Sequence, residues 1–309
     1  MAEQTNQRLG VVNRLPIGVE LSGDLREPLD PAGQHELHQL LADEGLLVFR
    51  KQQLSHPEQI RVLSYCGTVL NRLDGVGYIS KDTARGGFGT IELSYHSDQA
   101  YTSDPYDAIS LHAVDVVDGG TSTRFASGTK AYATLPAALK ETLTGVNVLS
   151  AMAIDMSGNQ LDDEVLPGMP QFTRPAIIPH PVTGVPILYV NEQHAVQVEN
   201  WPRAQSTALL RQALDHLYRP EHLYEHYWYN GDLVIWDNLA LQHARGDQTG
   251  SGARTLQRVV CAPKSLFELC PQISLSDPDY VQWVNCQDPV ANRYLLERVL
   301  ARWSEAAKT

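Results

Sequence analysis

The stretch Ser94-Tyr95-His96-Ser97-Asp98-Gln99 places a histidine and an aspartate two residues apart. In a strand, side chains i and i+2 leave the same face, so His96 and Asp98 are expected to point at one spot. A neutral imidazole and a carboxylate are two of the three donors of the facial triad found at non-haem Fe(II) centres. The third donor should be a distant histidine, and Trp236-Asp237-Asn238 followed by His243 supplies one. Taken alone, the pair reads more readily as an ordinary histidine hydrogen-bonded near an acid.

A second group lies just beyond His243. Arg254-Thr255-Leu256-Gln257-Arg258 alternates, so Arg254, Leu256 and Arg258 share one face if this is a strand. Two arginines on the inner face of a buried strand are costly unless anions meet them. Guanidinium suits a carboxylate through two parallel hydrogen bonds. Surface arginines paired with acids are the alternative from local sequence. The turn-rich Gly246 to Gly252 would return the chain beside the strand carrying His243.

These residues need a strand-rich frame. Leu15 to Leu21 reads as a short first strand. Asp30-Pro31 begins a helix with Asp as N-cap and Pro at the first helical position, and Gly45 stops it. His35 and His38 on that helix read as surface residues. Leu46 to Phe49 is a buried strand, and Ser55-His56-Pro57-Glu58 has capping-box spacing for a second helix. Residues 71 to 90 carry Gly75, Gly77, Gly86, Gly87 and Gly89 and read as an irregular loop leading into the His-Ser-Asp stretch, either a lid or a plain surface loop. Ala108 to Val117 and Thr121 to Ala126 flank Asp118-Gly119-Gly120 and predict a hairpin. Ser127 caps helical chain to about Leu143, broken at Pro136. Strands follow at 146–154, 176–180 and 187–191, then a helix from Trp201-Pro202 to Tyr218 whose leucines are core. Tyr224 to Tyr229 and Asp232 to Trp236 are strands joined by Asn230-Gly231, a tight-turn pair. Arg254 to Pro263 is the last strand, and Ala291 to Ala306 a final helix that could pack on a partner subunit.

Composition limits the function classes. The chain has 309 residues, 43% hydrophobic and 19% charged, which is enough for a packed core. No linker or repeat divides it, so residues 1–309 are expected to form one catalytic domain, mainly β with flanking helices. The net charge of −12 argues against a nucleic-acid partner. Cys66, Cys261, Cys270 and Cys286 form no CxxC pair, so a zinc site is not expected. The polar start, Met1 to Asn6, has no apolar signal core, and no run is long enough to cross a bilayer. A cytoplasmic protein without a membrane partner is expected, acting on a small molecule, with a homo-oligomer possible.

The ordered motifs now form a pattern. Leu46-Leu47-Val48-Phe49-Arg50, His96-Ser97-Asp98, Gly119-Gly120 with Thr123, and His180-Pro181 with Thr183-Gly184 come first. Leu188 to Asn191, Gly231 to Asn238, His243, Arg254 and Arg258 complete it. Together they resemble the taurine/2-oxoglutarate dioxygenase family of Fe(II)-dependent oxygenases, from about Gly18 to Pro263. The resemblance implies a double-stranded β-helix (jelly roll, cupin-like), with its core at about 90–263 and a helical insert. It implies Fe(II) held by His96, Asp98 and His243, with 2-oxoglutarate and O₂ as cosubstrates. Arg254 and Thr123 would bind the far carboxylate of 2-oxoglutarate, and Arg258 an acidic group of the prime substrate. Hydroxylation of a C–H bond, with release of succinate and CO₂, is the default outcome. Asp98 stands where halogenating members have Gly or Ala, which argues against halogenation.

Departures from the family pattern bear on the substrate. Glu92 stands near the position of an asparagine that lies by the amine in taurine dioxygenase, and would meet a cationic group or be a solvated acid. Tyr101 replaces a pocket aromatic, His194 lies just past Asn191, and Val185 replaces a usual basic residue. Taurine is therefore not the expected substrate; a carboxylate-bearing molecule is. Desaturation or isonitrile formation on the same centre, and a non-catalytic jelly-roll binding or sensor protein, are the competing readings.

Overall fold

A computed structural model describes residues 9–70, 77–82, 84–88, 92–153, 156, 158–161, 164–166, 168–245, 252–274, 276–286 and 289–306. The chain begins with β1 (Gly10–Arg14), β2 (Val19–Ser22), α1 (Pro31–Glu44), β3 (Leu46–Phe49) and α2 (His56–Ser64). Next come β4 (Gly77–Ser80), β5 (Gly87–Phe88), β6 (Leu93–His96), β7 (Ala108–Val116) and β8 (Ser122–Ser127). Helices α3 (Gly128–Ala133) and α4 (Ala137–Leu143) lead to β9 (Asn147–Ala151), β10 (Gln171–Pro175), β11 (Ile177–Pro179), β12 (Pro186–Leu188) and β13 (Ala195–Val198). After α5 (Arg203–Leu217) lie β14 (Leu223–Tyr227), β15 (Leu233–Asp237), β16 (Leu241–Arg245) and β17 (Arg254–Cys261). The end is helical: α6 (Leu266–Leu269), α7 (Pro278–Asn285) and α8 (Pro289–Ala306). None of the helices among the described residues is long and apolar enough to cross a membrane.

Two sheets carry the architecture. The larger has eight strands in the order β1-β2-β3-β15-β7-β17-β4-β5, and the smaller has four in the order β14-β8-β16-β6. Alternation assigns the faces. Leu46 and Val48 of β3, Val234 and Trp236 of β15, and Leu256 and Val260 of β17 enter one core, together with Phe125 of the smaller sheet and Trp228. Their neighbours Leu47, Phe49, Leu233, Ile235, Val259 and Cys261 enter a second core under α1 and α2. A strand apolar on both faces reads as a continuous run, which is why β3 and β15 show no polar alternation. Both faces being covered, each buried Leu, Val or Phe contributes roughly 1.5–3 kcal/mol.

The helix ends follow their sequence signals. The Asp30 carboxylate accepts from the Gly33 N–H at 2.7 Å, and Gly45 closes α1 in the left-handed region at φ 76°. Glu58 accepts from the Ser55 N–H at the start of α2. Other expectations need correction. Leu15 to Leu21 is not one strand, because the chain turns there, with the Leu15 N–H donating to the Gly18 carbonyl at 3.0 Å. Gly18 has φ 78°, and a Cβ on it would lie 2.1 Å from the Leu46 carbonyl oxygen, so only glycine fits.

Strands β7 and β8 do not form a hairpin, since they belong to different sheets, and the same holds for β14 and β15. Asp118-Gly119-Gly120 and Asn230-Gly231 are turns between sheets. Turn composition signals a reversal but not the partner, which burial decides. Part of the 71–90 segment is also ordered as sheet. Gly77–Ser80 pairs antiparallel with β17, and Gly87–Phe88 pairs with β4. Residues 71–76, 83 and 89–91 lie outside the described residues, and so does the lid question for them. Strands β10 and β13, which flank β9 in a three-stranded sheet, were not anticipated.

Candidate active site

His243 on β16 sits directly opposite His96 on β6, because the two strands pair antiparallel with these residues in register. The imidazole centroids are 4.2 Å apart. Asp98 joins them from outside the strand: β6 ends at His96. The aspartate is placed by backbone clamps rather than by the pleat expected from the sequence. The Ser97 N–H donates to Asn191 Oδ1. The Asp98 N–H donates to Asn238 Oδ1 at 2.8 Å, and Asn238 Nδ2 donates back to the Asp98 carbonyl at 3.0 Å and to the Tyr106 carbonyl at 2.9 Å. The next residue, Gln99, takes φ 59°, a left-handed conformation uncommon for a side chain of this size.

Asp98 Oδ1 lies 3.2 Å from His96 Nε2 and 3.7 Å from His243 Nε2. One ligand atom from each residue falls within 4.8 Å of the others. A carbonyl only accepts, so His96 Nδ1, 2.8 Å from the Ser94 oxygen, carries the proton and leaves Nε2 as a lone pair. Burial, with the neighbouring His96, pushes His243 down to about 3, so it is neutral at neutral pH. Burial acts to raise the Asp98 pKa, but Arg258 and the two histidines outweigh it and hold the carboxyl well below the usual range. The donors are thus two lone pairs and one anion, the state a divalent cation requires.

Asp98 Oδ2 is taken by Arg258, whose Nη2 donates at 2.5 Å. The same guanidinium lies over the Tyr106 ring at 5.4 Å. Arg258 therefore faces the triad, as its place on β17 predicts, and its partner is the Asp98 carboxylate itself.

Arg254 behaves differently. It is 3% exposed, and among the described residues neither its Nε nor its Nη1 has a hydrogen-bond partner. Burial, together with the charge of Arg245, pushes it down to about 9. With no counter-ion among the described residues, this desolvated cation invites an anion. Thr123 is buried, and its Oγ1 accepts from the Trp228 indole N–H at 3.0 Å, which leaves the hydroxyl proton free to donate elsewhere.

Of the expected substrate residues, His194 and Tyr101 come into the site. The His194 ring meets His96 edge-on with centroids 6.0 Å apart, and Tyr101 at 5.0 Å. Its Nδ1 donates to the Ala151 carbonyl at 3.1 Å. Glu92 is not brought in: it is exposed, one residue before β6, where its charge is hydrated. His35 and His38 are exposed on α1, as expected.

The sequence reading missed the clamp residues Asn191 and Asn238, although both lie in the motifs it used. It also missed Arg245, buried two residues beyond His243 on the same strand, which the strand period could have found. The sequence motif gives His180 no role, and the fold does. Its Nδ1 accepts from the Val182 and Thr183 N–H groups, so Nε2 carries the proton and donates to Asp237 Oδ2 at 2.8 Å. Asp237 Oδ1 in turn accepts from the Leu239 and Ala240 N–H groups and shapes the turn into β16.

Two imidazoles and a carboxylate come together so that they could hold one metal ion, and the same fold buries a guanidinium, that of Arg254, with N–H groups unpartnered among the described residues. The chain belongs to the taurine catabolism dioxygenase TauD, TfdA family, whose model matches residues 10–260. It is an alpha-ketoglutarate-dependent dioxygenase, an oxidoreductase with Fe(II) as cofactor and 2-oxoglutarate and O₂ as cosubstrates. It is 27% identical over 261 residues to the alpha-ketoglutarate-dependent 2,4-dichlorophenoxyacetate dioxygenase of Cupriavidus pinatubonensis, covering 76% of this chain and 90% of that one. It is 27% identical over 265 residues to an alkylsulfatase of Acinetobacter baylyi, covering 80% and 82%. Among solved structures, a taurine dioxygenase from Burkholderia xenovorans shares the fold with a TM-score of 0.70 at 23% identity, covering 84% and 92% of the two chains. AAD-2 in complex with Mn(II) and N-oxalylglycine matches with a TM-score of 0.70 at 22% identity, covering 83% and 98%.

Proposed function

We propose that this dioxygenase oxidises a C–H bond of a small, carboxylate-bearing organic molecule, with hydroxylation as the default outcome, from a single catalytic domain. The two facing sheets are read as the double-stranded β-helix of the family. His96 Nε2, Asp98 Oδ1 and His243 Nε2 would hold the metal. When bound, Fe(II) supplies oxidative decarboxylation of 2-oxoglutarate by O₂ to succinate and CO₂, and with it the oxidising power for the substrate C–H bond.

The protein's own residues bind and orient. Arg254 receives the far carboxylate of 2-oxoglutarate, and the Thr123 hydroxyl donates to the same group. Arg258 fixes the outer oxygen of Asp98, so that the carboxylate presents only Oδ1 inward. The same guanidinium would meet a substrate acid. Several relatives named for phenoxyacetate or phenoxypropionate support a carboxylate-bearing substrate.

The carrying observation is Arg254, a buried cation whose Nε and Nη1 lack partners among the described residues, in a chain that also keeps the whole donor triad. A sensor that had lost catalysis would have no need to keep both. The test is anaerobic. Fe(II) followed by 2-oxoglutarate should give a visible metal-to-ligand charge-transfer absorption. At limiting cosubstrate it should be strongly weakened in Arg254→Ala, with iron binding unchanged. No such absorption from the iron-loaded wild type would refute the reading.

A further inference from the structure

Gly119-Gly120 and Thr123 belong to one stretch of the sequence, and the metal donors give the glycine turn no role. Trp228 does. The Gly119 N–H donates to the Trp228 carbonyl at 2.8 Å, and the Trp228 N–H donates to the Thr121 carbonyl at 3.0 Å. The turn that leads into β8 therefore holds both backbone groups of one tryptophan. Gly119 takes φ 69°, the left-handed region that glycine enters without strain. On the neighbouring strand, His226 of β14 stands opposite Thr123 of β8 in register. Two residues further, just past the end of β14, the indole of Trp228 reaches across and its N–H donates to Thr123 Oγ1 at 3.0 Å.

The indole is held on more than one side. Trp228 is fully buried, and the His226 ring meets it edge-on, with centroids 4.6 Å apart and planes at 78°. His226 Nε2 lies 3.2 Å from Asp232 Oδ2. The same oxygen accepts from Arg50 Nη1 at 2.6 Å and from the Tyr229 N–H at 3.0 Å. The consequence for Thr123 is chemical. A threonine hydroxyl has one proton and two lone pairs, and the proton swings about the Cβ–Oγ bond. An N–H on one lone pair turns that proton away, because two donors cannot face each other. It also polarises the O–H, which strengthens the bond the hydroxyl gives. A donor aimed before its ligand arrives need not be ordered on binding.

We propose that Trp228 is a positioning residue for the cosubstrate: by occupying a lone pair of Thr123, it aims the Thr123 proton at the far carboxylate of 2-oxoglutarate. This rests on the dioxygenase reading above and adds to it a residue that favours keto acids with a second carboxylate over those without one. Trp228 acts through the Thr123 hydroxyl, and the turn at Gly119 and the His226 ring keep its N–H on that oxygen.

The experiment uses the full chain loaded with Mn(II). Its probes are N-oxalylglycine, an unreactive analogue of 2-oxoglutarate, and oxamate, the same molecule without the arm that carries the second carboxylate. Both are titrated by calorimetry into wild type, Trp228→Phe, Thr123→Val and the double variant. N-oxalylglycine should bind Trp228→Phe roughly three- to tenfold more weakly, a hydrogen bond weakened but not lost. Oxamate should bind all four proteins alike. In the Thr123→Val background, Trp228→Phe should cost N-oxalylglycine no further affinity, since the indole works through the hydroxyl. Unchanged N-oxalylglycine affinity in Trp228→Phe, an equal loss for oxamate, or a further loss on top of Thr123→Val would each overturn the proposal and leave Trp228 a core residue. Should Trp228→Phe not fold, nuclear magnetic resonance of wild type with isotope-labelled tryptophan and diamagnetic Zn(II) gives the reading. The indole N–H signal that Thr123→Val displaces is that of Trp228. N-oxalylglycine should displace the same signal in wild type, and oxamate should not; a signal that ignores N-oxalylglycine, or answers both ligands alike, would refute the proposal. A wild type that binds N-oxalylglycine no more tightly than oxamate would instead sink the reading of Arg254 and Thr123 as anchors of the cosubstrate, and the role of Trp228 with it.

Discussion

Asp98 gives its two oxygens separate roles: Oδ1 faces the two histidines and Oδ2 accepts from Arg258. What fixes the carboxylate is the Asn238 amide, which engages both the N–H and the C=O of the aspartate. Removing that amide leaves buried backbone groups unpaired, at about 1–3 kcal/mol. Asn238→Ala should lose that much stability in urea unfolding and bind Mn(II) about 10–100-fold more weakly. Metal affinity equal to wild type would mean that Asp98 is positioned by other contacts. Arg254 predicts the opposite sign for stability. A buried guanidinium with no counter-ion among the described residues costs the protein free of cosubstrate. Arg254→Leu should therefore raise the melting temperature without ligand and abolish the further rise that N-oxalylglycine gives the Mn(II)-loaded wild type. A lower melting temperature in the variant would contradict this account of Arg254.

At the scale of elements, the donors were legible because their types and order are restrictive. Helices α1 and α2 were legible because capping is local, as Asp30 and Ser55 show. Sheet membership was not. The residues 118–120 and 230–231 look like hairpin turns, yet each passes between two sheets, a property of partners far away in sequence. Strand β4 was hidden for the same reason, as its partner is the distant β17. The role of His180 also became visible only in three dimensions. Through Asp237 it sets the turn that delivers β16 and hence His243. His180→Ala would strip two backbone N–H groups of their acceptor and free Asp237 to reorient. Expected are a stability loss of about 1–3 kcal/mol and weaker Mn(II) binding, read by urea unfolding and calorimetry. Normal metal affinity despite the lost stability would confine His180 to folding.

For the whole molecule, enclosing this chemistry between sheets has a consequence for pH. Burial is the leading cause that lowers the pKa of five histidines, His112, His194, His222, His226 and His243, from the ordinary 6.5. The folded chain holds these imidazoles neutral, while the unfolded chain protonates them near 6.5. Above that value both states carry the same protons, and the contribution to stability is complete. As pH falls below it, the unfolded state binds more protons and stability drops, by up to about 1.4 kcal/mol per pH unit for each group until its folded pKa is reached. The metal-free protein should thus have a melting temperature nearly flat above pH 7 that declines towards pH 5. His112 gives a test away from the His96-Asp98-His243 triad: buried on β7, it lies with Nε2 3.2 Å from the Gln52 carbonyl. Gln in its place keeps a donor for that carbonyl and removes the titrating group. His112→Gln should make the decline shallower by about one proton's share while leaving Mn(II) affinity unchanged. An identical slope in the variant would mean that His112 titrates alike in the folded and unfolded chains.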